Sequence, residues 1–328
     1  MNRLNSIRKM IAAFSRKSKG TGFSGTLKFS LKKITGILKL EDEVDTLYYL
    51  LNHYVDITKL PPASGTLREL QLCDMVLLSI FDSICRKHNF TYWLCGGTLL
   101  GAVRHHGFIP WDDDIDVYMP RKDYDEFSEK CSEIFSEYGS DTITSCDPET
   151  FASNKGGHCI GYRPSETGVS LDMFPVDMVE PESDNEEESI KILTKKVNDY
   201  QKYYYANVKR VSYEELSSTR EKIIGKNYVV VGGLTVHHPE FAFNYMIGKP
   251  YIFPQRIIFP LRTEKFEDIR LNVPNDTHAY LTGIFGDYMN FPRSGLEHHS
   301  NIIISEKSGI NMNEILEKLK DIERFFRA

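Results

Sequence analysis

The chain has no apolar run long enough to span a bilayer, and its start lacks the compact apolar core and small-residue cleavage site of a secretory leader. Neither a membrane-spanning protein nor a secreted one is expected. Its six cysteines, Cys73, Cys85, Cys95, Cys131, Cys146 and Cys159, form no CxxC pair. That spacing argues against a zinc ribbon or a disulfide framework and for free thiols in a reducing cytoplasm. There is no internal repeat and no low-complexity tract. The first forty residues hold no acidic side chain, and ten Lys or Arg stand there unopposed (Arg3, Arg8, Lys9, Arg16, Lys17, Lys19, Lys28, Lys32, Lys33, Lys39). The formal net charge of −6 conceals this, because residues 41–328 carry 30 basic and 46 acidic groups, a balance of −16. A body of that sign excludes nucleic acid as an expected partner.

What is present is a chain of 328 residues, 41% apolar and 26% charged, enough to bury a sizeable core. We expect a basic arm over 1–60, a catalytic domain over 61–300 and a C-terminal helix over 301–328. In the arm, Met10, Ile11 and Phe14, and then Phe29, Leu31, Ile34, Ile37 and Leu38, recur among lysines. This is the pattern of an interfacial helix drawn to anionic lipid. It implies a cytoplasmic protein, peripheral on the inner face of the membrane through residues 1–40; a plain tail or a helix packed on the body is the competing reading. Pro61, Pro62, Ser64 and Gly65 mark a turn. Leu67 to His88 has helical periodicity, with Asn89 as its cap. Short strands are expected at Thr91–Cys95, Ile115–Met119 and Ser170–Phe174, the last closed by Pro175. Helices are expected at Thr98–Arg104, Asp123–Tyr138, Ser189–Lys209 and Asn311–Phe326. Glu182–Glu188 reads as an acidic loop, 229–236 as a strand or hairpin, and 251–274 as irregular or strand-rich.

The chemistry concentrates between Trp93 and Met119. Gly96, Gly97 and Thr98 make a turn that lets backbone approach a phosphate, at the start of a helix whose first N–H groups favour an anion. Asp112, Asp113, Asp114 and Asp116 follow. Four carboxylates in five positions repel one another unless a cation gathers them. On a strand, Asp114 and Asp116 share one face while Ile115 and Val117 enter the core. Asp113 then faces away and is structural. Asp172, in Leu171-Asp172-Met173, is the expected third carboxylate if its strand lies beside theirs. Asp114, Asp116 and Asp172 are the candidate catalytic residues and, with Asp112, the candidate ligands of Mg²⁺ or Mn²⁺. Gly96, Gly97, Thr98 and Arg104 are candidate contacts of a donor phosphate. Trp111 is a candidate stacking surface, although an aromatic anchor of the acidic loop is the simpler reading.

These residues resemble the nucleotidyltransferase-fold superfamily, with its Gly-Gly turn, Asp-x-Asp strand and third acidic strand. They resemble the LicD family more closely. The pattern runs from Tyr92-Trp93-Leu94 through Gly97-Thr98-Leu99-Leu100-Gly101-Ala102-Val103-Arg104 to Gly107-Phe108-Ile109-Pro110-Trp111-Asp112-Asp113-Asp114-Ile115-Asp116. Later family-like pieces are Asp172-Met173-Phe174-Pro175 with Asp177, Phe259-Pro260-Leu261, Phe266-Glu267, Val273-Pro274 and Phe285-Gly286-Asp287-Tyr288-Met289. The resemblance covers residues 67–292. It implies an α/β (α+β) fold: a nucleotidyltransferase-like mixed sheet flanked by helices, with a helical and irregular C-terminal extension. It also implies a phosphotransferase that moves phosphocholine or a polyol phosphate from a CDP-activated alcohol to a hydroxyl of a cell-surface or capsular glycan, with release of CMP. The acceptor would often be lipid-linked. Either Asp172 or Asp177 would take the hydroxyl proton, and Asp287 and Tyr288 would border the pocket. Two other readings stay open: transfer of a nucleoside monophosphate, and a non-catalytic glycan- or nucleotide-binding protein.

Overall fold

A computed structural model describes residues 25–136, 143–145, 158–162, 167–226, 232–237, 239–240, 250–292 and 300–327. The chain divides into two compact units, Met1–Asp56 and Ile57–Ala328. In the first, α1 (Gly25–Tyr54) is a single long helix. It runs on beyond the basic stretch; Met10, Ile11 and Phe14 lie outside the described residues.

The second unit begins with a 3-10 turn, Ile57–Lys59, and continues through α2 (Thr66–His88), β1 (Trp93–Leu94), α3 (Gly96–His105), β2 (Asp116–Pro120), α4 (Arg121–Ser136), β3 (Ile143–Ser145), β4 (His158–Tyr162) and β5 (Ser170–Val179). There follow α5 (Glu186–Asn207), α6 (Tyr213–Ile223), β6 (Leu234–His237), β7 (Ile252–Pro254), the short α7 (Gln255–Ile258), β8 (Arg262–Phe266) and β9 (Ile269–Val273). The described residues end with α8 (Thr277–Phe285), α9 (Ser300–Ser308) and α10 (Met312–Arg327). Seven strands form a mixed sheet in the order β1-β2-β5-β4-β3, with β6 pairing β5 and β7 pairing β6. The β2–β5 pair is parallel and the others are antiparallel. β8 and β9 make a separate hairpin. The architecture is therefore α/β, a mixed sheet flanked by helices with a helical C-terminus.

The α2 helix is the central support. Leu70, Leu77, Ile80, Phe81 and Ile84 recur at helical spacing and are fully buried. The helix stops where Asn89 turns left-handed at φ 58°, its N–H donating to Cys85 O. Against it packs α10, through Ile315, Leu319, Ile322 and Phe326, spaced four, three and four residues apart. At that interface Ser79 Oγ donates to Glu323 at 2.5 Å and accepts from Arg327 at 2.7 Å. Truncating one of these core leucines to alanine costs about 2–5 kcal/mol. Cys73, Cys85, Cys95 and Cys131 are buried free thiols.

Two expectations are corrected here. Pro175 does not close its strand, because β5 runs on to Val179. Asp172 N donates to Ile115 O, so even-numbered N–H groups of β5 face β2 and odd-numbered ones face the other side. On that other side β4 has paired up to Met173 and β6 begins at Val176. Proline's missing donor falls between these two partners, where no ladder bond is lost among the described residues. The acidic stretch Glu182–Glu188 is not all loop either: α5 starts at Glu186, because Asn185 caps it by accepting from Glu188 N. Glutamates in a helix's first turn complement its dipole.

A second apolar cluster joins α5 and α6 to the far end of the sheet through Val197, Tyr200, Leu216 and Val236. Beside it lies a buried charge network. Arg121 holds Asp177 with two bonds of 3.0 Å and Glu240 at 2.7 Å, and Arg220 reaches Glu240 at 3.1 Å. Two cations against two anions leave no net buried charge, and removing a single member would cost about 3–5 kcal/mol.

Candidate active site

The site is built where β1, α3, β2 and β5 meet. The register of the parallel pair sets Asp116 opposite Asp172, so the two carboxylates stand side by side on one face of the sheet. Asp112 and Asp114 precede β2 in the acidic loop. Each of the four keeps some exposed surface while sitting low in the fold. Burial raises the Asp116 carboxyl well above its ordinary range, and Asp114, Asp172 and Asp112 raise it further. Asp112 is raised likewise, first by burial, then by Asp114 and Asp113, and it shares a side-chain hydrogen bond with Asp114. The four expected carboxylates thus act on one another directly.

The Gly-Gly turn lies beneath them. A Cβ on Gly97 would stand 2.3 Å from Asp112 Oδ2, and one on Gly96, where φ is +53°, would stand 2.8 Å from Asp116 Oδ2. Only glycine permits this approach. α3 begins at Gly96, and its first-turn N–H groups have no partners within the helix. Thr98 has a different place from the expected one: it is buried, and its Oγ1 accepts from Asp116 N at 2.8 Å.

The acidic loop is held from three sides. Gln71 on α2 donates to Asp112 O at 2.9 Å and to Ile109 O at 3.3 Å. Arg68 makes bonds of 2.9 and 2.8 Å to Glu267, whose backbone N–H reaches His106 O at 2.8 Å, so the β8–β9 turn pins residues 106–108. Asp113 points away from its neighbours and accepts from Ile302 N at 2.9 Å, while its backbone oxygen accepts from Asn301.

The remaining expected residues divide. Arg104 is buried; its Nη1 donates to Tyr288 O at 2.6 Å and its Nε to His105 Nε2 at 3.0 Å. Burial lowers its pKa to about 10, and Asp112 opposes that shift. Trp111 stacks on Phe291, with centroids 6.3 Å apart and planes at 17°, and carries the Arg104 guanidinium 6.0 Å from its ring. Tyr288 is buried, its hydroxyl 3.0 Å from His278 Nδ1. Asp287 is exposed and accepts from Asn290. Asp177 is not brought to the cluster. Five residues along a strand of period two place it on the face opposite Asp172, where it joins Arg121.

Sequence reasoning missed Asp74. It lies on α2 between Leu70 and Leu77, fully buried, with Oδ1 accepting from Ser170 N at 3.2 Å. Among the described residues its Oδ2 has no hydrogen-bond partner. Burial holds its carboxyl well above the ordinary range, with Asp114, Asp113 and Asp172 adding to the shift. An acid on a core-facing helix position was the available signal.

Among the described residues, no three His, Cys, Asp or Glu side chains already stand as a metal centre. The donor chemistry nonetheless fits a hard divalent cation. Asp112, Asp114, Asp116 and Asp172 offer only oxygens, and their mutual repulsion is what such an ion relieves.

Residues 89–219, which carry the turn, the acidic loop and β5, match the family model described as LicD/FKTN/FKRP, nucleotidyltransferase domain. The lipopolysaccharide cholinephosphotransferase LicD of Haemophilus influenzae is 28% identical over 256 residues, covering 69% of this chain and 92% of that protein. An uncharacterised protein of Rickettsia typhi is 32% identical over 107 residues, 30% of this chain and 34% of its own. The human ribitol 5-phosphate transferase FKRP is 65% identical over 26 residues, 8% and 5% of the respective chains. The turn, the paired aspartate strands and these relatives agree: residues 89–219 form a domain that matches the LicD family model, and the chain is similar to the LicD protein of Haemophilus influenzae over 69% of its length.

Proposed function

We propose that the chain is a metal-dependent phosphotransferase that moves phosphocholine or a polyol phosphate from a CDP-activated alcohol to a hydroxyl of a cell-surface glycan, releasing CMP. The observation that carries this reading is the Asp116–Asp172 register, which sets two carboxylates over a Gly-Gly turn with Asp112 and Asp114 beside them. The relatives support the chemistry, since the Haemophilus protein is named for cholinephosphate transfer and FKRP for ribitol 5-phosphate transfer.

In this reading the donor pyrophosphate lies over Gly96 and Gly97, where the unpaired N–H groups of α3 meet its oxygens. Arg104 adds a fixed positive charge behind the loop. Asp114, Asp116 and Asp172, with Asp112, would hold Mg²⁺ or Mn²⁺, which supplies positive charge to the pyrophosphate when bound. The acceptor hydroxyl attacks the phosphorus that bears the alcohol. The bond from that phosphorus to the bridging oxygen breaks, and CMP leaves with the electron pair. Asp172 takes the hydroxyl proton, since Asp177 is committed to Arg121 on the other face.

The test is to incubate the protein with Mg²⁺ and, separately, CDP-choline, CDP-ribitol, CDP-glycerol and nucleoside triphosphates, and to follow CMP. Release from one CDP-alcohol, abolished in Asp114→Asn, is expected. Turnover of a triphosphate with nucleotide attached to the acceptor would replace this reading with nucleotidyl transfer.

A further inference from the structure

α1 presents an apolar stripe that the described residues of its own unit leave open. Leu40, Val44, Leu47, Leu51 and Tyr54 follow one another at intervals of four, three, four and three. They are 61%, 48%, 60%, 42% and 77% exposed. That spacing keeps them on one side of the helix over four turns. Leu50 is also exposed along its border, and Tyr49 on the opposite side of the helix. Among the described residues no helix is long and apolar enough to cross a membrane, so the stripe is not part of a span.

We propose that this stripe lies in the interface of an anionic membrane and is the chain's membrane-docking surface. At about 100° per residue, positions 28, 32 and 39 fall along one edge of the stripe, and all three are lysines; Glu43 stands on the same edge and pairs with Lys39 at 3.6 Å. Positions 42 and 45, both aspartates, fall on the far side of the helix. An anionic surface takes both features together: headgroup phosphates meet the lysine edge, aliphatic side chains enter the acyl boundary, and the aspartates stay in water. Tyr54 suits that boundary, having an apolar ring and a polar tip. The seven other basic residues before Glu41 add to the same attraction. A second copy of the helix fits less well. Antiparallel pairing about Leu47 leaves residues 28–39, with their lysines, outside the overlap. The sequence alone places membrane contact in residues 1–40; the exposures carry the apolar part of it to 40–54. This inference does not rest on the transferase chemistry.

The test is sedimentation of the full chain with vesicles of phosphatidylcholine alone and of phosphatidylcholine mixed with phosphatidylglycerol, for the natural sequence and for Leu47→Glu with Leu51→Glu. Circular dichroism confirms that the variant keeps its helix content. We expect binding to the mixed vesicles only, weakened roughly tenfold or more in the variant, and reduced but not abolished by salt. Release of CMP from a soluble donor is expected to be unchanged in the variant, so loss of docking and failure of the chemistry read out separately. Equal binding by the variant, or no binding by the natural sequence, overturns the proposal. So does a dimer in light scattering that the double substitution converts to monomer, since the stripe would then belong to a second copy.

Discussion

The hydroxyl of Thr98 accepts a hydrogen bond from the Asp116 backbone N–H at 2.8 Å. It joins the first turn of α3 to the first residue of β2, so the glycine turn and the carboxylate strand move as one piece. Thr98→Val keeps the shape and removes the acceptor, leaving a buried N–H unpaired. We expect a loss of about 1–3 kcal/mol in urea unfolding, with Thr98→Ser close to the natural protein.

Gly96 and Gly97 should tolerate no side chain. Gly97→Ala puts a methyl where Asp112 Oδ2 lies 2.3 Å away, and Gly96→Ala adds a positive φ to a 2.8 Å clash with Asp116 Oδ2. Both variants should fold, because the displaced groups are side-chain ends at a partly exposed site. Each should lower CMP release by roughly a hundredfold, the scale on which small misplacements of a reacting group act. A variant with natural activity would show that the turn does not carry the donor.

Neutralising one carboxylate should have opposite effects with and without a divalent cation. Asp116 is raised by burial and then by Asp114 and Asp172. Asp116→Asn removes one repelling charge, so the variant should melt at a higher temperature than the natural protein in chelator. Added Mg²⁺ or Mn²⁺ should raise the melting temperature of the natural protein and leave the variant unmoved. Scanning calorimetry reads both, without an assay of turnover.

Acid stability should have two separable parts. His105 is held at about 4 instead of 6.5 by burial, then by Arg104 and His106. The unfolded chain therefore binds the extra proton first, and stability falls as pH drops from 6.5 towards 4. His105→Gln should flatten that slope. Burial would raise the Asp177 carboxyl, but Arg121 and then Arg220 more than offset it and hold it below its ordinary 3.8. Its contribution is present above that value and is lost as pH falls from there through the lower folded pKa. In melting curves against pH, Asp177→Asn should remove this lower limb and leave the upper one.

The parts legible in the sequence are those set by local rules. A Gly-Gly turn, alternating aspartates and helical periodicity in α2 and α10 each depend on neighbours a few residues away. What could not be read depends on partners far along the chain. Pro175 reads as a strand end until the gap between β4 and β6 is known. Asp177 reads as a candidate base until Arg121 is seen across 56 positions. Asp74 reads as one polar residue in an apolar helix face. Only the fold shows that it is buried beside β5, where Asp114, Asp113 and Asp172 act on its carboxyl. The exposed stripe of α1 was equally hidden, because periodicity marks an apolar face without saying whether anything covers it.

The bond from Ile302 N–H to Asp113 spans 189 positions. A ribosome therefore finishes the acidic loop long before it makes the helix that braces it, and α10, which closes over α2, comes later still. The growing chain must carry its crowded carboxylates without that brace through most of its own synthesis. Premature termination between residues 219 and 267 would yield a polypeptide with every expected ligand of the site, and with Gln71 and the β2–β5 pairing, but without the braces from Glu267, Asn301 and Ile302. Such fragments, complete in motif and incomplete in support, are the ones that cellular quality control would have to clear.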